Sequence, residues 1–125
     1  MINKTILKNC CSEGFDEVEV YKAYKIFFGT LVSESRLKII NLLRTERKNV
    51  GQIVEELKSD QTSVSHDLAR LKKCGFVQME IEGKYRYYCL NKKTINPLMK
   101  LIDEHMSENC IHILNKTYNK KEETK

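Results

Sequence analysis

From Glu17 onward, apolar residues recur every three or four positions, and the period changes to two only near Val77. Val20, Tyr24, Phe27, Phe28 and Leu31 predict a first helix. Ser33 is placed to cap a second, running to about Arg44. Its Leu37, Ile39, Ile40, Leu42 and Leu43 cover a wide arc, as a central buried helix requires. Asn49 is placed to cap a short third helix with the narrow stripe Val50, Ile53, Val54, Leu57. Lys58-Ser59-Asp60 makes a tight polar connection, Asp60 caps a fourth helix from Gln61 to about Cys74, and Gly75 stops it. Val64, Leu68 and Leu71 face inward there. Alternation then begins, with Val77, Met79 and Ile81 on one face of a strand. Glu82-Gly83-Lys84 is a turn and Tyr85–Leu90 a second strand rich in strand formers. Asn96 is placed to cap a last helix opened by Pro97, with Leu98, Leu101, Ile102, His105, Met106, Asn109 and Ile113 on one face.

The expected fold is mainly α with a small β-hairpin, in the order α-α-α-α-β-β-α. Two short helices joined by a three-residue turn and followed by a hairpin describe a winged helix-turn-helix. A chain of 125 residues suits one core. The expected organisation is an irregular arm over 1–13 carrying Cys10 and Cys11, a winged helix-turn-helix domain with its dimerisation helices over 14–116, and a charged tail over 117–125. No apolar run is long enough for a membrane helix, and Met1-Ile2-Asn3-Lys4 lacks the apolar stretch of a secretory signal. These features predict a cytoplasmic protein without membrane contact, its cysteines reduced. Five cysteines, an odd number, also argue against a closed disulfide framework.

Charge sharpens this picture. The net charge is +5, a mild pointer to an anionic partner, and Asp60–Lys93 carries seven basic residues to four acidic ones. A fourth helix of ~14 residues is about 20 Å long and fits a major groove. Its start would read DNA: Gln61 can pair bidentately with adenine, and Ser63, Ser65 and His66 can donate to bases or phosphates. Thr62 and Arg70 complete that set. Lys84 and Arg86, at and beside the hairpin tip, are placed for backbone or minor-groove contact.

Four blocks resemble the arsenic-repressor (ArsR/SmtB) family. Ser35-Arg36-Leu37-Lys38-Ile39-Ile40-Asn41-Leu42-Leu43 is similar to its T-R-L-x-I-L-x-L-L stretch. Asp60-Gln61-Thr62-Ser63-Val64-Ser65-His66-Asp67-Leu68 is similar to S-Q-P-T-V-S-H-H-L, and Leu71–Val77 to L-R-E-A-G-L-V. Glu82-Gly83-Lys84-Tyr85-Arg86-Tyr87-Tyr88 is similar to the wing motif E-G-R-x-x-Y-Y. The resemblance implies a homodimeric repressor of double-stranded DNA that leaves a pseudo-palindromic operator when a metal, metalloid or thiol oxidant binds. Asp67 stands where the family often has a second His, and there it would weaken phosphate attraction.

The first and last helices are expected to pair across the dimer, with Val20, Tyr24, Phe27 and Phe28 against Leu98, Leu101, Ile102, His105 and Met106. The alternative is that these faces cover the protomer's own core.

The effector is less plainly written. Where the family places C-V-C, this chain has Asn49-Val50-Gly51. Asp103-Glu104-His105 matches the first half of a second family site, whose other half would fall on Lys116 and Asn119, which cannot serve. Cys10 and Cys11 form a vicinal soft-ligand pair, with Cys110 and then His112 as further donors if the last helix runs nearby. As(III), Cd(II), Zn(II) or thiol oxidation are therefore candidate signals, and no cofactor is needed for DNA binding. Cys74 and Cys89 read as packed residues, His105 and His112 as interface ones, and Tyr85, Tyr87 and Tyr88 as packing the wing to the body. An enzyme is not expected, since no Gly-rich phosphate loop and no nucleophile-base set appears. A ligand-independent regulator and a winged-helix protein–protein adaptor remain the alternatives.

Overall fold

The computed structural model describes residues 16–110. The arm with Cys10 and Cys11, His112, Ile113 and the tail lie outside them. The chain divides into two units that meet between Cys89 and Leu90.

Helix α1 spans Glu17–Val32 and begins where Asp16 accepts the Glu19 N–H at 2.9 Å. Ser33 ends α1 and caps α2 (Glu34–Leu43), so the two helices meet at one extended residue. Arg36 braces that elbow, its Nε donating to the Thr30 carbonyl, an acceptor of the last turn of α1, at 2.8 Å. In α2, Ile39, Ile40 and Leu43 are buried, while Leu37 stays at the surface.

Residues Lys48–Asn49 form a two-residue strand, β1, which the sequence did not announce as one. It pairs antiparallel with β3, Lys48 opposite Tyr88 and Asn49 opposite Tyr87. Asn49 also caps α3 (Val50–Leu57) in a capping box: its side chain accepts from Gln52 N–H, and the Gln52 side chain accepts from Asn49 N–H. Helix α4 (Gln61–Lys73) starts at Asp60 and stops as expected. Gly75, at φ +78, donates to Lys72 O, and Phe76 N–H reaches Leu71 O at 2.9 Å. That is the Schellman pattern, for which the left-handed backbone suits glycine.

The core of the first unit is Ile39, Ile40, Leu43, Ile53, Val64, Leu68, Leu71, Phe76 and Val77. Truncating one of the fully buried leucines would cost about 2–5 kcal/mol. Phe27 of α1 stacks on Phe76, ring centroids 4.9 Å apart, so this helix is fastened to the end of α4.

Strands β2 (Val77–Glu82) and β3 (Tyr85–Leu90) form the wing, in the sheet order β1-β3-β2. Their turn is Gly83-Lys84, with Gly83 at φ +60, as the first central position of a II′-type turn requires. The apolar face of β2 fades outward: Val77 is buried, Met79 half-buried, and Ile81 exposed because the tip projects past the body.

In the second unit, α5 spans Ile95–His105. It opens two residues before the expected start. Thr94 is the N-cap, without a side-chain bond, and Pro97 sits third in the helix. Proline is tolerated there, since first-turn N–H groups have no intrahelical partner. The preceding turn sets the start: Ile95 and Asn96 both donate to Asn91 O. Ile95 and Met99 are the buried positions, Leu98 and Ile102 are half-buried, and Leu101 and His105 are exposed. A π-helical turn, Met106–Cys110, follows.

Candidate nucleic-acid interface

The turn between α3 and α4 is built by three local devices. Lys58 adopts a left-handed conformation (φ 52, ψ 41) and closes α3, its N–H bonded to Val54 O. Ser59 N–H bonds the same carbonyl. Asp60 then accepts the Ser63 backbone N–H and hydroxyl, both at 2.8 Å. Those two bonds hold the Asp60 carboxyl below its ordinary range. They also commit the Ser63 hydroxyl to the cap rather than to a base.

Gln61, Thr62, Ser63, Ser65 and His66 are exposed on the first two turns of α4, while Val64, Asp67, Leu68 and Leu71 are buried on the other face. Thr62, Ser63 and His66 of that set border a shallow concavity of about 630 Å³, also lined by Ser35, Lys58, Ser59, Asp60 and Asp67. Arg70 is exposed too, but its Nε lies 3.4 Å from Thr30 Oγ1, which turns it toward α1 and away from the start of the helix.

Asp67 does not face solvent, as a substitute for a DNA-facing histidine would. It is 8% exposed, accepts from Ser35 Oγ at 2.7 Å and pairs with Arg36 Nη1 at 3.4 Å. Its position between Val64 and Leu71 on the inward stripe was the available signal. Asp67 anchors α4 to the start of α2.

The wing tip carries exposed Lys84 and Arg86. A brace that the sequence left unread fixes its base. Arg47 pairs with Glu82 and with Glu80 (3.0 Å), and its guanidinium lies 4.4 Å over the Tyr87 ring. The hydrogen bonds that Arg47 donates to Glu82 and Glu80 push its pKa up. Lys48, buried, bonds Glu46 and Glu56 at 3.1 Å each, and these hydrogen bonds raise its pKa in turn. Tyr87 and Tyr88 are half-buried as expected of wing packing, but Tyr85 is exposed beside Tyr87, centroids 6.1 Å apart.

Of the residues expected at the dimer face, Val20 is already buried within the single chain, Tyr24 and Phe27 are half-buried, and Phe28 is 60% exposed. Phe28 shares its side of α1 with exposed Val18, Tyr21 and Val32, none of which the sequence reading had singled out. In the second unit, Leu101 and Met106 are exposed.

Of the candidate effector ligands, Cys10, Cys11 and His112 lie outside the described residues. Cys110 is half-buried in the π-helical turn, and His105 is exposed, with Asn109 Nδ2 3.5 Å from its Nδ1. Among the described residues no three His, Cys, Asp or Glu side chains converge on one point. Cys74 is half-buried, 3.5 Å from Thr30 Oγ1, and Cys89 is buried.

Residues 33–79, from the α2 cap into β2, match the profile of the bacterial regulatory protein arsR family. An uncharacterized HTH-type transcriptional regulator of Methanocaldococcus jannaschii is 33% identical over 88 residues, 70% of this chain and 99% of that protein. The cadmium resistance transcriptional regulatory protein CadC of Listeria innocua is 36% identical over 76 residues, 60% of this chain and 64% of CadC. The homodimeric winged helix-turn-helix DNA-binding domain of a Mycobacterium bovis protein superposes with a TM-score of 0.70 at 24% identity, covering 79% of this chain and 94% of the domain.

Proposed function

From the premise that the chain belongs to the arsR family of bacterial regulatory proteins, and so is a DNA-binding transcriptional regulator rather than an enzyme, we propose that it is a homodimeric repressor of a pseudo-palindromic operator. One observation carries the reading. The outer face of α4 begins with a run of exposed hydrogen-bonding side chains, Gln61, Thr62, Ser65 and His66, while its inner face is locked into the core. Such a helix can enter a major groove without unfolding anything. Lys84 and Arg86 would hold the flanking backbone or minor groove, and Arg70 a phosphate at the far end of α4.

Dimerisation would set two such helices one turn of DNA apart. The exposed apolar side of α1, the exposed Leu101 of α5 and the exposed Met106 at the start of the π-helical turn supply surface for it. No helix among the described residues is long and apolar enough to cross a membrane. The protein would act in the cytoplasm, where its operator lies.

Release from DNA would follow soft-ion binding, As(III), Cd(II) or Zn(II), or thiol modification at Cys10 and Cys11, with Cys110 and His112 as further donors. A cadmium resistance regulator among the relatives supports that choice of signal. DNA binding itself would need no cofactor.

The test is fluorescence anisotropy of a labelled duplex from the gene's own upstream region, with reduced, anaerobic protein. Salt-sensitive binding, released by arsenite, Cd(II), Zn(II) or a mild oxidant and retained in the Cys10→Ser variant, is expected. Binding that none of these releases would leave a ligand-independent regulator. Absence of DNA binding would leave the protein–protein adaptor.

A further inference from the structure

A cavity of about 630 Å³ opens between α1 and the last turns of α4, lined by Ala23, Ile26, Phe27, Arg70, Lys73 and Cys74. This falls within the ~300–1,000 Å³ common for small-ligand pockets. Its floor is apolar on the α1 side, where Ile26 is left 54% exposed. Its α4 side carries a guanidinium, an ammonium and a thiol, and among the described residues no acidic one lines it. The cavity adjoins the exposed apolar stripe of α1 where Phe27 meets Phe28 edge-on, ring centroids 5.2 Å apart, but its Ile26 wall faces away from that stripe. At ~100° per residue, Ile26 stands about 140–160° around the helix from both Tyr21 and Phe28. A second copy seated on the Tyr21–Phe28 side would leave Ile26 uncovered.

We propose that this cavity binds an apolar carboxylate, its body on Ala23, Ile26 and Phe27 and its carboxylate on Arg70 and Lys73. Charge complementarity selects the class: two cations beside an apolar floor suit one carboxylate on an apolar body, and the planar Arg70 fork can hold it bidentately. The site is also wired to the DNA-facing helix. Arg70 Nε lies 3.4 Å from Thr30 Oγ1, and Thr30 is fully buried. The Thr30 carbonyl accepts from Arg36, which pairs with Asp67 in the middle of α4. A carboxylate drawing Arg70 away from Thr30 disturbs that chain of contacts and re-aims α4. Only this last consequence rests on the repressor reading; occupancy of the cavity does not.

The test uses the full-length protein with Ile δ1-methyl labelling, titrated separately with decanoate, 2-naphthoate and, as the uncharged control, decanol. A saturable shift of the Ile26 methyl by one carboxylate and not by decanol is expected, and the responding probe tells an aliphatic from an aromatic body. Arg70→Gln and Lys73→Gln should each weaken binding about tenfold, and Lys73→Gln, at an exposed position outside the Thr30 contacts, should do so without shifting thermal unfolding. The proposal is overturned by no saturable shift at Ile26, by equal binding of decanol, or by undiminished binding in both variants. Binding that appears only after deletion of residues 1–15 would assign the cavity to that segment and overturn it too. Operator anisotropy with the responding carboxylate is the separate arm. Ile26 saturation without a change in DNA affinity keeps the site and removes its coupling to DNA, whereas failure to bind DNA at all strikes the repressor reading alone.

Discussion

Arg36 and Asp67, 31 residues apart, meet at 3.4 Å between the start of α2 and the middle of α4, and Ser35 Oγ holds the other carboxylate oxygen at 2.7 Å. Their side chains are 18% and 11% exposed, so the pair is largely withdrawn from solvent. Removing one partner strands the other. Arg36→Ala should cost about 2–4 kcal/mol, because it also frees the Thr30 carbonyl at the end of α1. Asp67→Asn should cost less, since an amide oxygen can still accept from Ser35. Urea denaturation of both variants measures this; an Arg36→Ala midpoint within error of the parent would refute the anchoring role.

Asn49 serves two elements at once, as cap of α3 and as the residue opposite Tyr87 in β3. Asn49→Ala keeps the strand backbone and loses the cap, at about 1 kcal/mol. Asn49→Asp should retain nearly all of it, since a carboxylate caps as well as an amide. Equal losses in the two variants, read from urea midpoints, would contradict the capping account.

These two cases mark what local chemistry reveals. Ser33, Asn49, Asp60 and Gly75 were legible as helix boundaries because each solves the hydrogen-bonding of its own neighbours. Strand β1 was not, because two residues carry no period and only Tyr87 and Tyr88, some 39 positions on, make them a strand. The start of α5 was misplaced for a related reason: Asn96-Pro97 resembles a cap and first turn, but the Asn91 carbonyl, reached by Ile95 and Asn96, sets the boundary. At the candidate interface the exposed half of α4 was readable from polarity. The contacts that aim it were not, since Arg36–Asp67 and Arg47–Glu80–Glu82 join residues more than 30 apart.

Asp60 gives a pH prediction. Its folded carboxyl lies below the ordinary value because Ser63 donates to the ionised form. Its stabilising effect is therefore complete above the unfolded value of about 3.9 and is lost as pH falls through the lower folded value. The first turn of α4 should hold at neutral pH and loosen only in acid. Amide exchange at Ser63 and Val64 should show no opening between about pH 5 and 7. Asp60→Asn, which caps without titrating, should remove the acid-dependent part. Acid loosening that persists unchanged in Asp60→Asn would place its origin elsewhere.

The wing predicts a division of labour in DNA binding. Lys84 sits on an exposed II′-type turn and can give only a point charge to a phosphate, whereas Gln61 presents a donor and an acceptor in a fixed fork. Lys84→Ala should weaken operator and random duplex about equally and reduce the slope of log affinity against log salt by about 1. Gln61→Ala should leave that slope unchanged and lower discrimination by about 1–3 kcal/mol at one base pair. Arg47→Gln tests the brace between them. Its pairs with Glu80 and Glu82 are exposed, so the urea midpoint should barely move, but Glu80 and Glu82 lose their partner and the tip its fixed angle. Affinity should then fall on all duplexes, as for Lys84→Ala, while the salt slope stays near the parent's because no phosphate contact is removed. If Arg47→Gln instead matches Lys84→Ala in slope as well as in affinity, Arg47 reaches the phosphate itself and the brace is the lesser of its two roles.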